Sequence, residues 1–275
     1  MHEIAAITFL LLLGLVLAAW AVRGFLRSPY TIAQTMLWLP GLLLVRVLWR
    51  AALPPGLPLA ENQGAVIVCN HRSSVDPFFV QLAAKRRVHW MVAKEYCDHF
   101  LFGPILRAVQ AIPTNRSGMD TAATKLAMRI TKQGRLVGMF PEGRLNHTRL
   151  PLVSIRSGAA LVAARSQVPI IPLLIEGSPY RRTVWSPIFM PARVAITFGQ
   201  PIFPSDVVSE ALATTTGPAD GEGPAAEVDE RLSDSDSLIV EWAKQIVTLA
   251  GHPDFPIELT SRRKRRERAP RQLQI

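Results

Sequence analysis

Residues 64–77 read Gly-Ala-Val-Ile-Val-Cys-Asn-His-Arg-Ser-Ser-Val-Asp-Pro, and this stretch decides the fold class. The short, β-branched run 64–69 reads as a buried strand. A polar cluster at 70–76 follows it without a break, and residues 78–85 read as a helix. The Asp76-Pro77 step supplies the junction: an acceptor suited to the N-cap, then a residue whose missing N–H is harmless at the first helical position. Strand, polar turn and helix together make the half-unit of an α/β sheet, whose ligand crevice lies at the carboxyl ends of its strands.

The alternation continues outward. Residues 88–93, 135–140, 168–175 and 194–198 read as strands, and residues 100–109, 119–132, 158–165 and 238–249 as helices. An α/β domain is therefore expected over 51–260. Within it, the segment 213–237 is acidic and rich in Gly, Pro and Ser, which suits a mobile insertion. The run Arg262-Arg263-Lys264-Arg265-Arg266 marks a basic tail over 261–275. Its readings are a solvated end, contact with anionic lipid, or contact with nucleic acid or another partner.

The chain has 275 residues and is 49% hydrophobic, which excludes a disordered protein. Its net charge of +10 is uneven: residues 1–205 carry 22 Lys/Arg against 8 Asp/Glu, residues 206–260 carry 2 against 12, and residues 261–275 carry 7 against 1. An even basic coat is thereby excluded, while a basic body suits an anionic surface or phosphate-bearing substrates. Two cysteines, Cys69 and Cys97, are too few for a disulfide scaffold or a four-thiolate site. His89, His99 and His147 show no metal-ligand spacing, so no metal is expected.

Residues 4–22 carry no charge over nineteen positions, roughly 28 Å as a helix and about one hydrocarbon core. A signal peptide is disfavoured by His2 and Glu3 before the run and by Arg23 and Arg27 directly after it. The stretch 32–49, interrupted by Pro40-Gly41, suggests two short interfacial helices with Trp38 and Trp49 at headgroup level. Residues 1–50 are thus expected to be a membrane-anchoring helical region with a transmembrane helix. The domain behind it would face the cytoplasm from the cytoplasmic membrane.

Two clusters carry chemistry. In Asn70-His71-Arg72-Ser73-Ser74-Val75-Asp76, a turn brings His71 and Asp76 together, so that the carboxylate fixes the tautomer and leaves the other nitrogen to take a proton. Caps and loop hydrogen bonds are the competing explanation for such a pair. In Phe140-Pro141-Glu142-Gly143-Arg144, a glycine beside an arginine lets backbone N–H groups and a forked donor approach an anion. Arg116 is a further candidate phosphate ligand, and Glu142 is a candidate to orient a nearby donor or the substrate. For each arginine taken alone, a plain surface role competes.

The order of these segments resembles the membrane-associated glycerolipid acyltransferases, the family that includes 1-acyl-glycerol-3-phosphate acyltransferase. The family's His-x-x-x-x-Asp block resembles His71 to Asp76, preceded by Asn70. Its arginine-terminated block is similar to residues 111–116, ending in Arg116. The Pro-Glu-Gly block is similar to Pro141-Glu142-Gly143, and the proline-containing apolar block to residues 168–175 with Pro172. The resemblance implies a mixed, mostly parallel sheet flanked by helices. It further implies transfer of an acyl group from acyl-CoA or acyl-ACP to a lysophospholipid hydroxyl, with lysophosphatidate the leading acceptor in phospholipid biosynthesis. His71 would be the base and Asp76 its orienting partner, with no acyl-enzyme and no bound cofactor. Membrane lipids, the acceptor and the acyl thioester donor, carried on coenzyme A or acyl carrier protein, are the implied partners, and nucleic acid is not. One departure stands out: Arg144-Leu145 occupies the place where many lysophosphatidate enzymes carry Thr-Arg. Lysophosphatidylethanolamine or an amino-lipid is therefore the alternative acceptor, and a non-catalytic lipid-binding protein the remote one.

Overall fold

In the computed structural model, which describes residues 2–26, 31–115, 120–181, 183–207 and 224–260, the apolar run after Gly64 forms β1 (Ala65–Cys69) with all five residues buried. It joins β2 (Val88–Ala93), β3 (Ile112–Thr114), β4 (Leu136–Met139), β5 (Ile170–Glu176) and β6 (Ala195–Phe198) in a six-stranded sheet of order β3-β2-β4-β1-β5-β6. The ladders among β1 to β5 are parallel, and β6 runs antiparallel to β5. The sheet is thus mixed and mostly parallel. β1 lies between β4 and β5, with Val68 opposite Met139 on one side and Pro172 on the other.

The period-2 alternation of β1 feeds two cores. Val66 and Val68 face α6 (Thr121–Lys132), α7 (Gly158–Ser166) and α8 (Pro224–Leu249). Ala65, Ile67 and Cys69 face the other layer, with Trp49 and the Val75, Phe79 and Val80 side chains in and just before α3 (Asp76–Ala84). On α8, Leu238, Ile239, Trp242, Ala243, Ile246 and Val247 are fully buried at helical spacing. The Trp242 indole N–H donates to the Val68 carbonyl at 2.8 Å, tying the last helix to the central strand.

Three elements had no counterpart in the sequence reading: β3, the one-turn α4 (Lys94–Cys97) that precedes α5 (Phe102–Ala108), and the 3-10 turn Ser186–Phe189. β3 contains Pro113, which cannot donate to a ladder and is tolerated because β3 is an edge strand. Of the segment 213–237, residues 224–237 are helical, as the first turns of α8, and 213–223 lie outside the described residues. The basic tail 261–275 also lies outside them.

The chain divides into two compact units, Met1–Pro40 and Gly41–Ile275. The first holds α1 (His2–Leu26) and α2 (Ile32–Leu43) up to Pro40. Thr31 and Gln34 form a reciprocal capping box at the start of α2, with Gln34 N donating to Thr31 Oγ1 at 3.3 Å and Thr31 N donating to Gln34 Oε1 at 3.1 Å.

The expected spanning anchor is overturned: among the described residues, no helix is long and apolar enough to cross a membrane. The transmembrane helix over 4–22 and the cytoplasmic-membrane location inferred from it are corrected accordingly. Trp49 is also corrected from a headgroup position to the core. It is fully buried, donates its indole N–H to the Pro187 carbonyl at 2.9 Å, and meets Phe79 edge-on at 5.2 Å. The backbone around it is stitched to the segment leading into β6, with Ala192 N to Leu48 O and Val194 N to Trp49 O. The Trp38 side chain lies outside the described residues.

Trp49→Ala should therefore destabilise the second unit by about 3–5 kcal/mol, and Trp49→Phe by less, in urea unfolding followed by circular dichroism. A Trp49→Ala variant as stable as the wild type would contradict a core position.

Candidate active site

β1 ends at Cys69, and the next residue extends its pairing with β5 through a side chain. The buried Asn70 amide donates from Nδ2 to the Ile175 carbonyl at 2.9 Å and accepts from the Ile175 N–H at Oδ1 at 2.8 Å. From this fixed point the chain turns so that Asp76 folds back over residues 71–73. Asp76 Oδ2 accepts from the Arg72 N–H at 2.7 Å and the Ser73 N–H at 2.8 Å, and lies 3.0 Å from His71 Nδ1. Asp76 Oδ1 accepts from Ser178 Oγ at 2.6 Å.

This corrects the expected cap. Val75 occupies the N-cap of α3 and Asp76 is the first helical residue, because its carboxylate is taken by the loop before it, not by the helix after it. Pro77 moves with it from the expected first helical position to the second, where its missing N–H is still harmless. The Asp76 side chain is completely buried, while that of His71 is 18% exposed, so the ring is reachable and its partner is not. With Nδ1 facing the carboxylate as donor, Nε2 is the nitrogen left to accept a proton.

The ring is also held from below. His71 stacks on Phe140 with centroids 3.7 Å apart and planes at 14°, and Phe140 stacks on Trp90 at 4.8 Å and 15°. Trp90 lies opposite Gly138 in the β2–β4 register, and a Cβ at Gly138 would fall 2.7 Å from the Trp90 ring. The missing side chain on β4 thus makes the space in which the aromatic stack sits.

Glu142, in the turn after β4, is 3% exposed. Its Oε1 accepts from the His71 N–H at 2.8 Å and its Oε2 from the Val153 N–H at 3.2 Å, so both oxygens hold backbone. Burial raises its pKa, and these two hydrogen bonds, with His71 and Arg72 nearby, oppose the rise. Pro141 is buried and its carbonyl accepts from the Arg156 N–H at 3.0 Å. Gly143 has φ +65°, a conformation that favours glycine, and a Cβ there would press on the Arg156 guanidinium at 3.1 Å. Arg144 is exposed in the same turn, and Arg116 lies outside the described residues. Pro172 sits inside β5, where its carbonyl accepts from the Gly199 N–H at 2.9 Å.

Several participants had no role in the sequence reading. Ser178 follows β5, and only the adjacency of β1 and β5 reveals its bond to Asp76. Arg72 donates to the Thr148 carbonyl at 2.5 Å and the Leu150 carbonyl at 2.6 Å, pinning the segment 146–150 against the loop 70–76. Asn146 N donates to the His71 carbonyl at 2.7 Å. Burial, with Asp76 and Glu142 adding to it, pushes the Cys69 thiol well above its ordinary pKa, which keeps it protonated and unreactive as a nucleophile. Among the described residues, no group of three His, Cys, Asp or Glu is placed to hold a metal ion.

Comparison with known proteins gives a consistent set of likenesses. A family model described as acyltransferase matches residues 55–176. The 1-acyl-sn-glycerol-3-phosphate acyltransferase of Bacillus subtilis is 25% identical over 149 residues, 54% of this chain and 71% of that protein. The Limnanthes alba protein of the same name is 30% identical over 138 residues, 48% of each chain. The N-acylphosphatidylethanolamine synthase of Arabidopsis thaliana is 29% identical over 141 residues, 45% of this chain and 46% of that one. The matched region thus spans about half the length of these two plant proteins. The solved structure of the 1-acyl-sn-glycerophosphate acyltransferase PlsC from Thermotoga maritima is similar at 18% identity and a TM-score of 0.46, covering 70% of this chain and 71% of that one.

The raised pKa of Glu142 has a signed consequence. The folded carboxyl holds its proton more tightly than the unfolded one, so its contribution to stability is greatest below the unfolded pKa and falls as pH rises through the folded pKa. In urea titrations from acid to neutral pH, the stability of the wild type relative to Glu142→Gln should decline across that window. A relative stability that rises with pH would contradict the assignment.

Proposed function

The chain belongs to the acyltransferase family, in its 1-acyl-sn-glycerol-3-phosphate acyltransferase-like branch, and on that premise we propose that it moves a fatty acyl group from a thioester to the free hydroxyl of lysophosphatidate. The donor is acyl-CoA or acyl-ACP, and the product is phosphatidate. The observation that carries this reading is the 3.0 Å contact between His71 Nδ1 and a fully buried Asp76 whose remaining lone pairs are occupied by two backbone N–H groups and Ser178.

In this mechanism, His71 Nε2 takes the acceptor hydroxyl proton as the oxygen attacks the thioester carbonyl. Asp76 keeps the Nδ1–H tautomer and stabilises the imidazolium that forms. When the tetrahedral intermediate collapses, the C–S bond breaks, the new C–O ester remains, and the imidazolium returns its proton to the departing thiolate. The Phe140 stack fixes the ring plane while this happens. Glu142 fixes the backbone from which the ring projects, acting as a positioning residue. No side chain forms a covalent intermediate, in keeping with the buried, protonated Cys69.

For the acceptor phosphate, Arg116 and Arg144 are the proposed ligands, assisted by backbone N–H groups near Gly143. A guanidinium fork suits a phosphomonoester because it engages two oxygens at once. The second reading, an amino-bearing or lysophosphatidylethanolamine acceptor, is favoured by Arg144 standing where many lysophosphatidate enzymes carry threonine, and by the name of the Arabidopsis relative.

Purified protein assayed with a panel of lysolipids and both thioester types tests the reading, with the fastest turnover expected on lysophosphatidate. A preference for lysophosphatidylethanolamine would replace the acceptor. His71→Ala should lower turnover by roughly 10²–10⁴-fold with the fold intact. Asp76→Asn should lower it on a similar scale, about 10² or more, with little change in melting temperature. The amide oxygen still accepts from Arg72 and Ser73, and the amide nitrogen donates to Ser178 Oγ with that bond reversed, so the loop keeps its backbone contacts while the negative charge is lost. Parallel loss of stability and turnover in Asp76→Asn would make that residue structural.

A further inference from the structure

A groove of about 750 Å³ opens beside the catalytic loop on its β5 side. One wall is the carboxyl end of β5 and the turn after it, from Leu174 to Ser178. The facing lip is the segment 146–151, and Ala250 and His252, just past α8, close the end. Asn70, Arg72 and Ser178 line the groove and also make the contacts that hold the loop 70–76, so groove and dyad share a wall. Its volume lies within the range of small-molecule and cofactor sites.

The lip is rigid and basic. Arg72 holds the carbonyls of Thr148 and Leu150, the two residues that flank Arg149, and the Asn146 side chain takes the Leu150 carbonyl and both the N–H and hydroxyl of Thr148. Arg149 is therefore presented from a fixed backbone with its own side chain exposed, and among the described residues it forms no hydrogen bond or ion pair. Arg72 is committed to carbonyls, which leaves Arg149 as the arginine of the lining with a free fork. His147, stacked on Tyr180 with centroids 4.7 Å apart, and His252 are exposed in the same lining, and Glu176 is its one acidic residue.

The sheet order sets which substrate this groove serves. Two substrates must meet at His71. The turn bearing Arg144 follows β4 on one side of β1, and Asn115, the last described residue before position 116, follows β3 at the edge beyond it. One wall of the groove follows β5, on the opposite side of β1, and its lip is the post-β4 loop carried past the end of β1, where Asn146 N meets the His71 carbonyl. With the acceptor phosphate on the β4 side, as proposed above, a second anion site on the β5 side belongs to the other substrate. Coenzyme A and acyl carrier protein present their thiol in the same way, on a phosphopantetheine arm ending in a phosphate ester. We propose that the groove holds this arm, with Arg149 on its phosphate and His147 and His252 beside it, so that the thioester carbonyl reaches His71 from the β5 side. The inference rests on the acyl-transfer reading.

The test is steady-state kinetics on the whole protein, with the donor varied at saturating acceptor and then the reverse, for the wild type, Arg149→Ala, Arg149→Glu and His252→Ala. Acyl-CoA and acyl-ACP are run in parallel, and calorimetry with free coenzyme A measures binding without turnover. Donor KM should rise about tenfold in Arg149→Ala, the loss of one charge-assisted hydrogen bond. It should rise further in Arg149→Glu, while acceptor KM stays within twofold and thermal melting is unchanged. An increase with both thioesters places the shared arm phosphate at Arg149, and an increase with one identifies that carrier as the donor held there. An unchanged donor KM in an active protein, or a rise in acceptor KM instead, overturns the groove assignment and leaves the acyl-transfer reading standing. A wild type inactive with both thioesters across the lysolipid panel overturns both.

Discussion

The carboxamide of Asn70 substitutes for a rung of the sheet. Its two bonds to the backbone of Ile175 prolong the β1–β5 pairing past the last residue of β1, at the point where the chain must turn away to build the loop 70–76. Each such bond contributes about 0.5–1.5 kcal/mol net, but leaving the buried N–H and carbonyl of Ile175 without partners would cost about 1–3 kcal/mol apiece. The geometric effect matters more than the sum. By clamping the ends of β1 and β5 together, Asn70 brings the turn after β5 close enough for Ser178 to reach Asp76, and so fixes the far oxygen of the carboxylate that orients His71.

Two buried carboxylates, Asp76 and Glu142, hold the loop that leaves this clamp, and their surroundings give them different tasks. Asp76 keeps one contact for the imidazole and spends the others on N–H and O–H donors. Glu142 gives both oxygens to backbone amides, one from the loop 70–76 and one from the segment after the β4 turn. The first carboxylate holds a side chain, and the second holds the main chain from which that side chain projects. The stack of Trp90, Phe140 and His71 adds a constraint on ring plane that neither carboxylate supplies.

What could be read from the sequence was local. The β-branched run of β1, the polar turn and the His71 to Asp76 spacing lie within a dozen residues, and so does the strand–turn–helix grammar that makes an α/β sheet. Distant partners were hidden: Ser178, Arg156 and the Arg72 carbonyl contacts depend on strand order, which no local pattern encodes. The expected cap at Asp76 failed for a related reason, because an aspartate before a proline has the right chemistry for a cap, yet a carboxylate surrounded by loop donors turns toward them. Trp49 was misplaced because an apolar stretch interrupted by Pro40-Gly41 has the same composition whether lipid or protein covers it. The strand β3 escaped because Pro113 breaks the pattern by which strands are found.

The separations in sequence across the site bear on how the protein comes to be active. His71 meets Glu142 across 71 positions, Asp76 meets Ser178 across 102, Asn70 meets Ile175 across 105, and Val68 meets Trp242 across 174. Loop closure over such distances precedes any gain from the contacts, so a chain with this topology is a slow folder compared with one built from neighbouring pairs. During synthesis, the segment 64–76 leaves the ribosome long before either of its flanking strands exists. Its apolar strand has both edges open for that interval, the condition under which nascent chains depend on chaperones.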